Sequence, residues 1–166
     1  MKRLIIVAAT ASLVAAQAEM VLDESFSYDD GPIVLQAADT WKNHSGTEEQ
    51  TEMVDGRLNL SQAASEDINA MLPRGPYKKS GGGTMYASFD VEFTELPSGG
   101  GSYFAHFKDK GTGYRGRIVA QAIGAEGGAL RIGVTSKGKV STAVFDSDLH
   151  LETVYKVVIA LNLADA

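Results

Sequence analysis

The chain contains no cysteine. That excludes disulfides, thiol nucleophiles and thiolate metal centres, so packing and hydrogen bonding must hold the fold. Histidine is scarce too. His44, His106 and His150 lie far apart without H-x-x-x-H spacing, and the H-x-E at His150-Leu151-Glu152 has no cysteines to complete a zinc site, so no zinc motif is present. Basic residues are the minority, 15 Lys and Arg against 21 Asp and Glu, for a formal charge of −6. Without clustered Lys and Arg there is no electrostatic footprint for nucleic acid, nor for an anionic membrane surface. There is no G-x-S-x-G elbow for a serine nucleophile. The glycine runs Gly81–Gly83 and Gly99–Gly101 do not lead from a strand into a helix, as a phosphate-binding loop would. No long amphipathic pattern, internal repeat or coiled-coil heptad occurs.

What is present begins with a leader. Met1-Lys2-Arg3 is a basic start, Leu4 to Ala16 is apolar apart from Thr10 and Ser12, and Ala16-Gln17-Ala18 is an A-x-A cleavage site. The apolar stretch is shorter than the roughly 20 residues a helix needs to span a bilayer. The reading is a signal peptide over residues 1–18, cleaved before Glu19, and one secreted or cell-surface domain over 19–166. No membrane span is expected, and the leader has no cysteine to carry a lipid. Cleavage removes two cations and no acid, leaving a more acidic domain whose partner, if any, is a glycan or an extracellular protein.

Past the leader the punctuation is that of a β protein. From Thr84 to Phe93 the residues Met85, Ala87, Phe89, Val91 and Phe93 alternate with polar neighbours, the period of two of a half-buried strand. Further strands are expected at Val21–Phe26, Ser102–Lys108, Tyr114–Ile123, Ala129–Thr135, Val140–Phe145 and Val154–Leu163. Strict alternation puts Tyr103, Ala105 and Phe107 opposite Phe104, His106 and Lys108, and sets Arg115 and Arg117 on one face. Thr51–Val54 and Arg57–Leu60 flank Asp55-Gly56, a strong hairpin signal. Turns are expected at Asp109–Gly113 and Ser136–Lys139. Trp41–Gly46 reads as irregular, and Gln62–Tyr77 as holding a short helical turn. The apolar run Val157–Leu161 predicts a central strand covered on both faces. Strands at this spacing indicate a sandwich or barrel.

Several segments resemble secreted bacterial concanavalin A-like (laminin-G-like) domains: Glu24–Gly31, Trp41–Gly46, the hairpin Val54–Leu60, Tyr86–Val91, Ser102–Asp109, Leu130–Val134 and Leu149–Tyr155. The resemblance covers nearly all of residues 19–166. It implies an all-β, two-sheet antiparallel jelly-roll sandwich, and it carries no ligand with it. In that family the strand matching Val154–Leu163 is followed by a turn and a closing strand. The chain ends at Ala166, so the expectation is a domain truncated at its C-terminus, with further modules downstream.

Asp90, Glu92 and Glu95 are the sharpest catalytic lead. Laminarinase-like glycoside hydrolases share the fold and carry E-x-D-x-x-E on one strand, and retaining hydrolysis needs paired carboxyl groups about 5–5.5 Å apart. Here the order of acids is wrong and Leu96-Pro97 ends the strand, so a solvated strand face is the competing reading. Glu92, His106, Arg115 and Arg117, with Trp41 at the edge, form the candidate ligand-binding set. Polar groups converging on a sheet face with an aromatic nearby suit a sugar, while cross-strand pairing and packing are the bland alternatives. Asp29, Asp30, Asp146 and Asp148 could offer oxygens to a calcium ion, yet all sit where turns favour Asp. No other cofactor is expected. Three function classes stay open: a recognition or adhesion module that binds glycan or protein, a structural spacer, and a divergent glycoside hydrolase. The residues favour the first two, because the fold signals are strong and the catalytic ones poor.

Overall fold

The computed structural model describes residues 19–109, 111, 113–135, 141 and 143–164. The expected leader and the Ser136–Lys139 turn lie outside the described residues. So do Lys110 and Thr112 of the Asp109–Gly113 turn, which nonetheless closes with Asp109 N–H donating to the Gly113 carbonyl at 3.0 Å.

The chain is all-β and sandwich-like. In order it forms β1 (Gly31–Pro32), the short helix α1 (Ile33–Gln36), β2 (Trp41–Ser45), β3 (Glu52–Val54), β4 (Arg57–Asn59) and β5 (Asp67–Ala70). A 3₁₀ turn at Lys79–Gly81 precedes β6 (Thr84–Glu92), β7 (Ser102–Lys108), β8 (Tyr114–Gln121), β9 (Ala129–Thr135), β10 (Ala143–Val144), β11 (Leu149–His150) and β12 (Val154–Asn162). Every pairing is antiparallel. One sheet runs β1-β3-β4, one runs β10-β9-β8-β7 with β11 also on β9, and β12-β6 and β2-β5 are two-stranded.

The period-two strand is there as expected. Met85, Ala87, Phe89 and Val91 are half-buried, while Tyr86, Ser88 and Asp90 are exposed. All nine residues of β12 pair with β6, and Leu163 N–H extends the ladder to the Gly83 carbonyl. The Asp55-Gly56 hairpin also forms, with φ of 50° and 71° at the two turn residues, the left-handed pair a two-residue turn requires.

Four expectations fail. Val21–Phe26 forms no strand: Phe26 has φ 52°, and the segment is tied down by the Glu24 carboxylate rather than by a ladder. Trp41–Ser45 forms a strand, with a register shift between Asn43 and Ser45, because β5 offers it a partner that its polar sequence does not advertise. The short helical turn lies at Ile33–Gln36 instead of within Gln62–Tyr77, where β5 forms. The last strand is not covered on both faces. Tyr155, Val157, Ile159 and Leu161 face inward, while Val154 and Val158 are 56% and 61% exposed. Its apolar run therefore marks β-branched strand propensity as much as burial.

Two small cores result. Ile33, Ala37 and Met53 are buried beneath Phe26, Tyr28, Trp41, Leu58 and Ile68. Ala120, Leu130 and Leu149 are buried against Phe93, Phe104, Ile132, Leu151 and Tyr155. Phe104 meets Phe89 and Phe93 edge-on at 6.1 and 5.7 Å, which packs β7 onto β6.

Candidate functional site

Two compensating bulges decide which side chains share a face of the β7–β8 pair. Tyr103 pairs with Val119, Ala105 with Ile118 and Phe107 with Arg115. Between the first two pairs β7 advances two residues and β8 one. Between the next two, β7 advances two and β8 three. Each strand therefore carries one extra residue, on β8 at the segment holding Gly116, whose φ is 53°. A glycine takes that left-handed conformation without Cβ strain, as a bulge needs. An inserted residue flips the alternation that follows it. Tyr103 and His106 thus meet on one face with ring centroids 5.7 Å apart, and Tyr114 joins Arg117, whose guanidinium carbon lies 4.3 Å from its ring centroid. Phe104 faces the other way, toward β6.

The cluster is continued by the β2–β5 pair. The His44 ring lies 6.4 Å from both His106 and Tyr114. Asp67 accepts the Tyr103 hydroxyl at 3.2 Å on each carboxylate oxygen and the Ser45 hydroxyl at 2.8 Å. His106 and Tyr114 pack edge to face at 4.7 Å, and Arg117 also lies 5.1 Å from the Tyr103 ring centroid. Burial is the main cause pushing the His106 imidazole below its ordinary pKa, outweighing the hydrogen bond to the Phe107 carbonyl and the Asp67 charge, both of which raise it. Burial, then the Asp67 charge, raises the Tyr103 phenol. Cation–π contact and aromatic faces beside half-buried polar groups are the ingredients of a sugar or other polar-ligand site.

Of the five residues expected at a ligand site, His106 and Arg117 are brought together and three are elsewhere. Arg115 falls across the bulge from Arg117 and pairs with Asp109 at 3.3 Å. Glu92 pairs with Arg57. Trp41 stacks on Phe26 at 5.8 Å, and its indole N–H donates to Glu24 at 2.9 Å, so it serves the N-terminal core. Tyr103, Tyr114 and Asp67 were missed. Gly116 between two arginines was the available signal, since an isolated glycine inside a strand pattern points to a bulge.

Most of the other candidate residues have partners of their own. Asp90 pairs with Lys156 across the β6–β12 ladder at 2.6 Å, both well exposed, while Glu95 lies beyond the end of β6. Asp90 thus has an ordinary cationic partner on a solvated face, as Glu92 has in Arg57. Asp30 accepts the Asp55 N–H at 2.9 Å and so fixes the β3–β4 hairpin. Asp146 and Asp148 both take Arg131, at 3.0 and 2.5 Å, and Asp148 also takes the Glu126 N–H, which with Arg131 holds its carboxyl below the usual range. Asp29 is exposed. Among the described residues no three His, Asp or Glu side chains are placed to hold a metal ion, and no helix is long and apolar enough to cross a membrane. An open cleft of about 420 Å³ lies along Leu35–Thr40 beside Tyr28, whose hydroxyl is committed to Glu24 at 3.0 Å.

No protein family, curated protein or solved structure matches the chain.

Proposed function

We propose that this chain is a non-catalytic extracellular recognition module of the concanavalin A-like jelly-roll kind, exported on residues 1–18, that binds a glycan on the face carrying Tyr103, His106, Tyr114 and Arg117. The single observation that supports this reading is the convergence of two tyrosines, a histidine and an arginine on that face through two bulges. A plain ladder would scatter them to both sides. Tyrosine rings offer flat apolar surface to the C–H face of a pyranose, and the neighbouring polar groups can take its hydroxyls. The hydrolase alternative has less support, since Asp90 and Glu92 are each held by a cation, Lys156 and Arg57.

A glycan array probed with the secreted protein tests the reading. Tyr114→Ala and Arg117→Ala should each weaken binding about tenfold or more, at about 1–3 kcal/mol per lost stacking or charged contact. Glu92→Ala and Arg115→Ala, outside the cluster, should leave it unchanged. Binding indifferent to Tyr114 and Arg117 would overturn the assignment. Turnover of a β-glucan abolished by both Asp90→Asn and Glu95→Gln would replace it with the hydrolase.

A further inference from the structure

Both imidazoles of the cluster have one nitrogen committed. Nδ1 of His44 lies 3.1 Å from the Asp67 carbonyl oxygen, and Nδ1 of His106 lies 3.1 Å from that of Phe107. A carbonyl oxygen only accepts, so each Nδ1 carries the proton and donates. In the neutral His106 ring the lone pair then sits on Nε2. Nε2 of His44 is buried and receives no hydrogen bond. Nε2 of His106 receives none from a described residue, and His106 is only half-buried.

The charged and titratable groups facing these rings come from four strands: His44 on β2, Asp67 on β5, Tyr103 on β7, and Tyr114 and Arg117 on β8. The Asp67 carboxylate is occupied by two hydroxyls, and the Arg117 guanidinium lies over two tyrosine rings. Beyond aromatic surface and the Arg117 charge, the cluster offers a ligand the His106 lone pair. An anionic sugar would meet that lone pair, the Asp67 charge and a chain of net charge −6. A hydroxyl group would donate into it.

Resting on the recognition reading above, we infer that the ligand is a neutral glycan that donates a hydroxyl hydrogen bond to Nε2 of His106, so that binding requires the uncharged imidazole. Protonation would turn the acceptor into a donor and set a second cation beside Arg117. Burial holds His106 below the ordinary imidazole pKa of about 6.5, so binding should persist into mild acid and then fall. Glu24 and Glu66 carry depressed pKa values, so their ties still hold the fold in that range.

The test is affinity electrophoresis of the full chain in laminarin, galactomannan and alginate, from about pH 7.5 to about pH 4.5, with circular dichroism monitoring the fold. Retardation by a neutral glycan should weaken about tenfold on acidification, as expected when one acceptor is titrated. His106→Gln keeps an acceptor oxygen and should retain binding while flattening the pH profile; His106→Phe should abolish it. Binding of alginate that strengthens in acid, or neutral-glycan binding that survives His106→Phe, would overturn the inference and leave the recognition reading standing. A folded protein retarded by no glycan at any pH would overturn both.

Discussion

The strands before Met71 and those after it are held by different means. β1 to β5 are two to five residues long, whereas β6, β7, β8, β9 and β12 are seven to nine. Short strands close few ladder bonds, so the loops between them need other acceptors for their N–H groups. Two carboxylates supply these. Glu24 accepts from the Trp41 indole, the Tyr28 hydroxyl and the Phe26 N–H. Glu66 accepts from the N–H groups of Glu49, Gln50 and Thr51 and from the Asn43 amide. The later strands satisfy their own backbone and depend on apolar packing of Leu130, Ile118 and Val119. One region thus adds carboxylate ties to its small core, and the other rests on long ladders and its core. The candidate site lies where they meet, with His44 and Asp67 from the first and Tyr103, His106, Tyr114 and Arg117 from the second.

The comparison breaks most visibly at Leu130. It is fully buried at the centre of the second core, so Leu130→Ala should cost about 2–5 kcal/mol in urea denaturation through the cavity it leaves. A loss under about 1 kcal/mol would mean that this region is not held by its core.

Glu66→Gln should cost less, about 1–3 kcal/mol, because the amide offers one oxygen where the carboxylate offers two. The pH dependence separates the regions further. Burial alone would raise Glu24 and Glu66, yet the hydrogen bonds they accept outweigh it and hold both below the usual carboxylate pKa. Such a group binds fewer protons folded than unfolded. Its contribution is fully present above the unfolded value of about 4.3 and is lost as pH falls through the folded one. Thermal melts from neutral pH toward pH 3 should lose less stability in Glu24→Gln and Glu66→Gln than in wild type. Parallel slopes would remove the carboxylates from the account.

The smallest stability effect with the sharpest local consequence is expected at Gly116→Ala. A Cβ there would meet Phe107 and Leu161 only at 3.8 and 3.9 Å, so space is adequate and the cost is the left-handed backbone, about 1–2 kcal/mol. If the bulge relaxes, Tyr114 and Arg117 part and glycan binding falls by more than the stability loss explains. Unchanged binding would show that the bulge does not build the site.

The bounds of β7 and β9, the long ladder strand β6 and the Asp55-Gly56 turn were legible because period-two alternation and turn chemistry are local. The site was only half legible. Alternation separated Tyr103 from His106 and joined Arg115 to Arg117, and two inserted residues reverse both assignments. β2 and β5 were missed because WKNHS and DINA carry no alternation, and their order comes from pairing with each other. The Glu24 and Glu66 ties were invisible, since they join residues up to 23 apart through backbone N–H groups and polar side chains that composition does not reveal.

The central claim is that β7 and β8 present a neutral His106 whose Nε2 lone pair meets the ligand. Long-range ¹H–¹⁵N correlation of the histidine rings near neutral pH reads this directly. The account predicts the Nδ1–H tautomer for His106, with its Nε2 resonance moving when a neutral glycan is added. An Nε2–H tautomer at His106, or an Nε2 resonance indifferent to a bound glycan, would contradict it.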